Sequence, residues 1–232
     1  MLESMLFTVP SQGGDGSTDG FFTMEGSDAA WSISRTAGAV FEEVPSIDGK
    51  TLVLPLNTRD CLSIIFAVPM NLKSNNWTLE WSEINDGAPS GYFGELSIGT
   101  SADGSNGITV RYGDGGFGDR MQFGGPLDSF ANCWSIGFSK TALRGVLKRY
   151  ALVQNAGAIS VFVNGVKQML ALGVSNVYDK PTFTSSNPNT ALTHIKIGSF
   201  QSNYPTMPAR RGPVRFNPTV AKYSANYTPV PF

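Results

Sequence analysis

Residues 147–168 read LKRYALVQNAGAISVFVNGVKQ, and their pattern leaves little choice of local structure. Ile159, Val161 and Val163 alternate strictly with Ser160, Phe162 and Asn164, which is the two-residue period of a strand. Upstream, Tyr150 to Gln154 is rich in β-formers, and Asn155-Ala156-Gly157 supplies residues that tolerate unusual φ, so the two segments predict a hairpin. Asn164-Gly165 follows at once. That pair suits a type I′ turn, whose two central residues need positive φ, and it predicts that Val166 to Met169 returns as a third strand. An antiparallel meander is expected at the middle of the chain.

The same period recurs on both sides of it. Lys50 to Leu56 places Leu52, Leu54 and Leu56 on one face after a turn at Asp48-Gly49. Cys61 to Val68 is nearly all apolar and predicts a strand covered on both faces or central in a sheet. Trp77 to Ile84 alternates, with Trp77, Leu79 and Trp81 toward a core and Thr78, Glu80 and Ser82 toward water. Shorter strand signals cover Leu6 to Val9, Ala29 to Ile33, Ala39 to Glu42, Glu95 to Ile98, Ile108 to Tyr112, Met121 to Phe123, Cys133 to Phe138, Thr193 to Ile197 and Val214 to Phe216. Ser139 to Val146 has the spacing of one helical turn, and residues 176–189 read as a long loop. The Gly-rich residues 11–20 read as a surface loop, and residues 217–232 as an extended tail containing prolines. About a dozen short strands, with no fixed repeat and no clear linker, predict an all-β fold: one sandwich of two antiparallel sheets over residues 1–232.

Composition agrees. Among 232 residues there are 26 Gly, 14 Pro and 15 Phe, and only 15% are charged. A net charge of −1 gives no electrostatic case for nucleic acid or an anionic membrane. Two cysteines make no disulfide framework, so Cys61 and Cys133 are expected to be free thiols, Cys61 buried. No apolar run reaches the roughly 18 to 20 residues of a membrane helix. An acid stands where a signal peptide would carry lysine. The expectation is a soluble protein made in a reducing cytosol.

Candidate chemistry is sparse. Glu80, Glu83 and Asp86 are spaced by three, so in a regular strand Glu80 and Glu83 point to opposite sides, and they read as solvated carboxylates rather than a glycosidase pair. His194, the single histidine, shares an outer face with Lys196 and reads as a surface residue. Arg210-Arg211 reads as a surface or interface feature, since no basic stripe continues it. Trp31, Trp77, Trp81 and Trp134 fit core positions better than a groove. Asp103, Asn106, Asp114 and Asp119 occupy two Gly-rich loops with Tyr112 and Phe117 among them. These six are the candidate ligand residues, because oxygen-rich loops beside an aromatic platform are one way to hold calcium or a sugar ring; the same residues also make ordinary turns. No catalytic residue, metal ligand or cofactor site is assigned.

Several stretches together resemble the concanavalin A-like, laminin-G-like jelly-roll domains of tail-fibre and other virion proteins of tailed bacteriophages. Asp15-Gly16-Ser17-Thr18 resembles the family's DGST turn, Asp48-Gly49-Lys50-Thr51-Leu52 its turn into the second sheet, and Asn76 to Trp81 its DFTIEFW-like strand. Tyr150 to Val153 with Ile159 to Gly165 resembles its HHVALVR…LYVNG hairpin, and Val220 to Pro229 its ARYTANFTPP ending. Order and spacing match from Leu6 onward. Where the family often carries an acid before the last core strand, this chain has Gly212-Pro213, so no role of that acid is carried over. The resemblance implies a jelly roll in a bacteriophage virion, a non-enzymatic decoration of capsid or tail made in the host cytoplasm. Its expected partners are other virion proteins in a symmetric multi-copy assembly, with host surface glycans as a further candidate. The alternatives are a free-standing carbohydrate-binding module and, behind it, a polysaccharide hydrolase.

Overall fold

The computed structural model describes residues 5–7, 21–27, 29–43, 47, 50–55, 58–72, 74–85, 92–99, 108–113, 120–124, 134–137, 145–172, 175–181, 191–198 and 209–232. Numbered in chain order, its strands form two sheets. The larger runs β1 (Met5–Phe7), β3 (Trp31–Arg35), β6 (Cys61–Asn71), β18 (Ala191–Gly198), β8 (Tyr92–Gly99), β9 (Ile108–Gly113), β10 (Arg120–Gly124), β11 (Trp134–Gly137), β15 (Leu170–Leu172) and β16 (Ser175–Val177). The other runs β14 (Val166–Lys167), β13 (Ala158–Val163), β12 (Leu147–Asn155), β7 (Trp77–Asn85), β19 (Ala209–Asn217), β5 (Lys50–Leu54) and β4 (Val40–Glu43), with β17 (Lys180–Pro181) paired to β13 and β2 (Phe22–Met24) to β19.

The central meander forms as its residues dictate. Tyr150 pairs with Val163 and Asn155 with Ala158, and Phe162 then pairs with Lys167. Ala156 and Gly157 close the first turn at φ +48° and +84°, and Asn164 and Gly165 the second at +50° and +77°, both in the left-handed region that such turns require. Leu152, Ile159, Val161 and Val163 face inward with Leu52, Leu79, Trp81 and Phe216. They meet Leu62, Ile64, Leu96, Ile98, Val110, Met121, Ile195 and Ile197 of the larger sheet in one core. This is a two-sheet, mainly antiparallel sandwich of the jelly-roll type, with alternate residues of most strands closing one layer against the other. The ring of Phe66 on β6 meets that of Phe216 on β19 at 5.9 Å, and Trp81 stacks on Tyr150 at 5.0 Å.

Several expectations are corrected. One pairing is parallel: Val214, Arg215 and Phe216 lie beside Phe22, Thr23 and Met24. On the edge of β19 away from β7, residues Ala209 to Arg211 pair with β5, and Val214 to Phe216 then pair with β2. The exchange falls at Gly212-Pro213, where the ladder to β7 is bulged; a bulge is one of the few places a sheet accepts proline. A Cβ at Gly212 would run into Ser82 Oγ and Ile47, so the bulge also sits in close packing. Part of the long loop at 176–189 is strand, since Asn176 and Val177 belong to β16 and Lys180 to β17. The helical turn expected at Ser139 to Val146 lies largely outside the described residues. The wet face expected for β7 is absent: all nine of its residues are buried.

Candidate functional site

The outer face of the smaller sheet is closed by the chain's own tail. Asn217 Oδ1 accepts hydrogen bonds from Thr219 and Val220 N–H, turning the chain out of β19. The tail then crosses β7, where Thr78 Oγ1 donates to the Val220 carbonyl (2.8 Å) and accepts from Lys222 N–H (2.9 Å). Glu80 accepts from Lys222 Nζ (3.2 Å) and the Tyr223 hydroxyl (2.8 Å), with Arg215 Nη1 at 3.7 Å. Glu25 binds Arg215 and Lys222 as well, at 3.2 and 2.5 Å. Further along, Tyr223 and Tyr227 stack at 3.5 Å and meet Phe162 edge-on, covering a second apolar cluster of Ala151, Val153 and Phe162. Tyr227 N–H donates to the Gly165 carbonyl, and Lys167 N–H to Asn226 Oδ1. Burial, with the Glu80 charge beside them, pushes both tyrosine hydroxyls up from their ordinary range.

This corrects the reading of Glu80 as solvated: it is 6% exposed and committed to holding the tail. Glu83, on the opposite face as its spacing predicts, is 1% exposed and also not solvated. There it is in register with Arg211. Arg211 is no surface residue. Its Nε and Nη2 reach Glu95 Oε1 and Oε2 at 3.1 and 2.5 Å, a two-pronged pair with both side chains 1% exposed. A bulge in β8 between Gly94 and Leu96 contains Glu95, which spans the gap between the sheets to reach Arg211. Burial alone would raise its carboxyl, but the adjacent guanidinium, together with a hydrogen bond to Glu83, wins and holds it below the usual range.

The outer face of the larger sheet is different in kind. Leu62, Ile64, Leu96, Ile98, Ile108, Val110, Ile195 and Ile197 point into the core, so the alternate residues point out. Ser34, Ser63, Lys196, Ser97 and Thr109 then stand in one row across five strands. Ile65 and His194 stand in the next. Ser63 and Ser97 lie low and buried, while Lys196 and His194 are partly exposed. His194 Nδ1 lies 2.8 Å from Thr193 Oγ1, and burial followed by the Lys196 charge lowers its pKa. Cys61 is a free thiol raised by burial against the opposing pull of Lys196. Among the described residues no segment is hydrogen-bonded across this face, and no group of three or more His, Cys, Asp and Glu is placed to hold a metal ion.

Of the six ligand candidates, Asp103, Asn106, Asp114, Phe117 and Asp119 lie outside the described residues, and of Tyr112 the backbone is described, paired with Phe93 and Met121. The strand between the two loops is informative. Residues 100–107 precede β9 and residues 114–119 follow it, so their anchors stand about 17 Å apart at opposite ends of that strand. Sequence reasoning did place His194 and Lys196 on an outer face, but it missed the hydroxyl row. The signal was there in the serines and threonines of β3, β6, β8 and β9, each alternating with core residues.

No protein-family model matches the chain, and no curated protein matches it in sequence. Solved structures match its fold. The chain is similar to Trypanosoma rangeli sialidase, with a TM-score of 0.53 and 15% identity over 88% of this chain and 30% of that one. The same sialidase in complex with sialic acid gives 0.53 and 17% over 82% and 28%. The binding domain of botulinum neurotoxin serotype G gives 0.53 and 9% over 85% and 44%. The chain thus spans under a third of the sialidase chains, and at these identities the likeness is one of fold.

Proposed function

We propose that this protein is a non-enzymatic, lectin-like binding module of a bacteriophage virion, decorating capsid or tail and holding glycans on the outer face of its larger sheet. The observation that carries the reading is the contrast between the two outer faces. One is covered by the tail over β7, β12 and β13, and the other carries the partly exposed Ser34, Lys196, His194 and Thr109 above the buried Ser63 and Ser97. Hydroxyl-bearing floors with a few longer polar groups suit ligands that are themselves polyhydroxylic. A sandwich of similar fold occurs in a sialidase solved with sialic acid and in a toxin's binding domain, which supports a glycan. Against hydrolysis stands the fate of the best-spaced carboxylates. A retaining glycosidase needs two about 5 Å apart on one face, whereas Glu80 and Glu83 lie on opposite faces, with Glu80 bonded to the tail.

The virion assignment rests on the ordered phage-like motifs, among them the hairpin ending in Asn164-Gly165 and the Val220 to Pro229 segment that forms the strap. Neighbouring virion proteins are the proposed partners, in several symmetric copies. A glycan array with the isolated protein, together with mass spectrometry of purified particles, tests both halves. Selective sugar binding and stoichiometric recovery in particles are expected. Binding without recovery would leave a free-standing carbohydrate-binding module, and silence on the array would remove the glycan. Turnover of a host polysaccharide, lost in Glu80→Gln or Glu83→Gln, would overturn the non-enzymatic reading.

A further inference from the structure

The outer face of the larger sheet carries a charge as well as hydroxyls, and its sign is one-sided. At the outward positions of β3, β6, β18, β8 and β9 stand Ser32, Ser34, Ser63, Ile65, His194, Lys196, Ser97 and Thr109, with Arg111 two residues beyond Thr109. No aspartate or glutamate stands among these. The one buried acid of these strands, Glu95, is turned inward onto Arg211. Lys196 is partly buried between Ser63 and Ser97 with the Cys61 thiol in hydrogen-bond reach, and among the described residues no carboxylate pairs with it. An ammonium group drawn partly out of water with only a thiol and hydroxyls facing it gains from an incoming anion. Most of the other described cations are already engaged, as with Lys167 on Asp179, Lys222 on Glu25 and Glu80, and Arg215 on the same pair.

We infer that this face selects acidic saccharides, the carboxylate of a uronate or sialate unit pairing with Lys196 while ring hydroxyls bond to Ser34 and Thr109, the partly exposed members of the row. The inference rests on the glycan-binding reading above and narrows it to one chemical class. His194 borders the site as a polar neighbour, paired with Gly99 and two residues from Lys196. Neutral sugars would meet the same hydroxyls but leave the ammonium without its partner.

The test is an array printed with uronate- and sialate-containing oligosaccharides beside neutral ones. The best acidic ligand and its carboxyl-reduced form are then titrated against the full chain, Lys196→Met and Lys196→Arg. Methionine keeps the aliphatic stem that packs on the sheet, so the fold is expected to hold, and an unchanged thermal midpoint checks it. The acidic ligand should bind, its reduced form about tenfold more weakly or worse, and Lys196→Met should lose a similar factor that Lys196→Arg largely restores. Equal binding of neutral and acidic sugars would overturn this inference and leave the glycan reading standing. Undiminished binding by Lys196→Met would overturn it by moving the site elsewhere. Silence across the array would overturn both.

Discussion

Arg211 and Glu95 are the residues whose removal should be felt most. Both are desolvated, with buried Glu83 beside them, so taking away Arg211 strips the Glu95 carboxylate of the guanidinium that balances it. Arg211→Met should cost about 3–5 kcal/mol, read from urea unfolding, while the double variant Arg211→Met with Glu95→Leu should recover only part of it, because the buried Glu83 loses both neighbours. The pair also has a pH signature. Because the folded Glu95 carboxyl is held below its ordinary value of 4.5, its stabilisation is present above that value and is lost as pH falls through the depressed folded one. Glu95→Gln should therefore be less stable at neutrality but lose less stability on acidification. At Gly165 backbone geometry decides: φ is +77°, and a Cβ would strike the Tyr227 carbonyl. Gly165→Ala should cost more than about 1 kcal/mol and speed amide exchange at Tyr227. The sequence announced the Gly165 turn, since Asn-Gly carries its own conformational demand. It did not announce the ion pair, because Glu95 and Arg211 are 116 residues apart and a bulge in each strand breaks the alternation that would have shown both facing inward.

At the scale of elements, the tail matters most. Alternation in β7 correctly divided Trp77, Leu79 and Trp81 from Thr78, Glu80 and Ser82, but a period of two says only that two faces differ. It cannot say whether the polar face meets water or another polar segment. Here Thr78 and Glu80 meet backbone and side chains of residues 220–223, so a surface that reads as wet is an interior seam. The aromatic content of Tyr223 and Tyr227 was the clue, two rings four residues apart in a segment otherwise small and polar. Tyr223→Ala should remove the stacked pair and the Glu80 bond together, costing about 1–3 kcal/mol and exposing Phe162, as an increase in dye binding to apolar surface would show. Tyr223→Phe should keep the stack and lose less. The strap also narrows where partners can attach. With residues 218–232 laid on their own sheet, docking through a loose tail would first have to break these contacts.

For the molecule as a whole, sheet order explains cohesion. β19 lies between β7 and the pair β5 and β2, so one strand ties residues 77–85 to residues 22–24 and 50–54. Neither half of the smaller sheet is complete without it. Heat or urea should therefore unfold the sandwich in one step, with far-ultraviolet circular dichroism and the fluorescence of buried Trp77 and Trp81 moving together. Separate transitions would show that the sheets part independently. Fold class was legible because two-residue alternation is local, whereas the parallel contact of Phe22 with Val214 joins segments no window of sequence sees at once. The central position of a strand drawn from residues 209–217 also bears on synthesis. A ribosome delivers β7 and β5 long before the piece that must lie between them, so the nascent chain carries two unclosed sheet margins until β19 is made. Such margins invite pairing with other copies, and insertion of that strand, with the tail laid over β7, should be what turns an aggregation-prone intermediate into a closed sandwich.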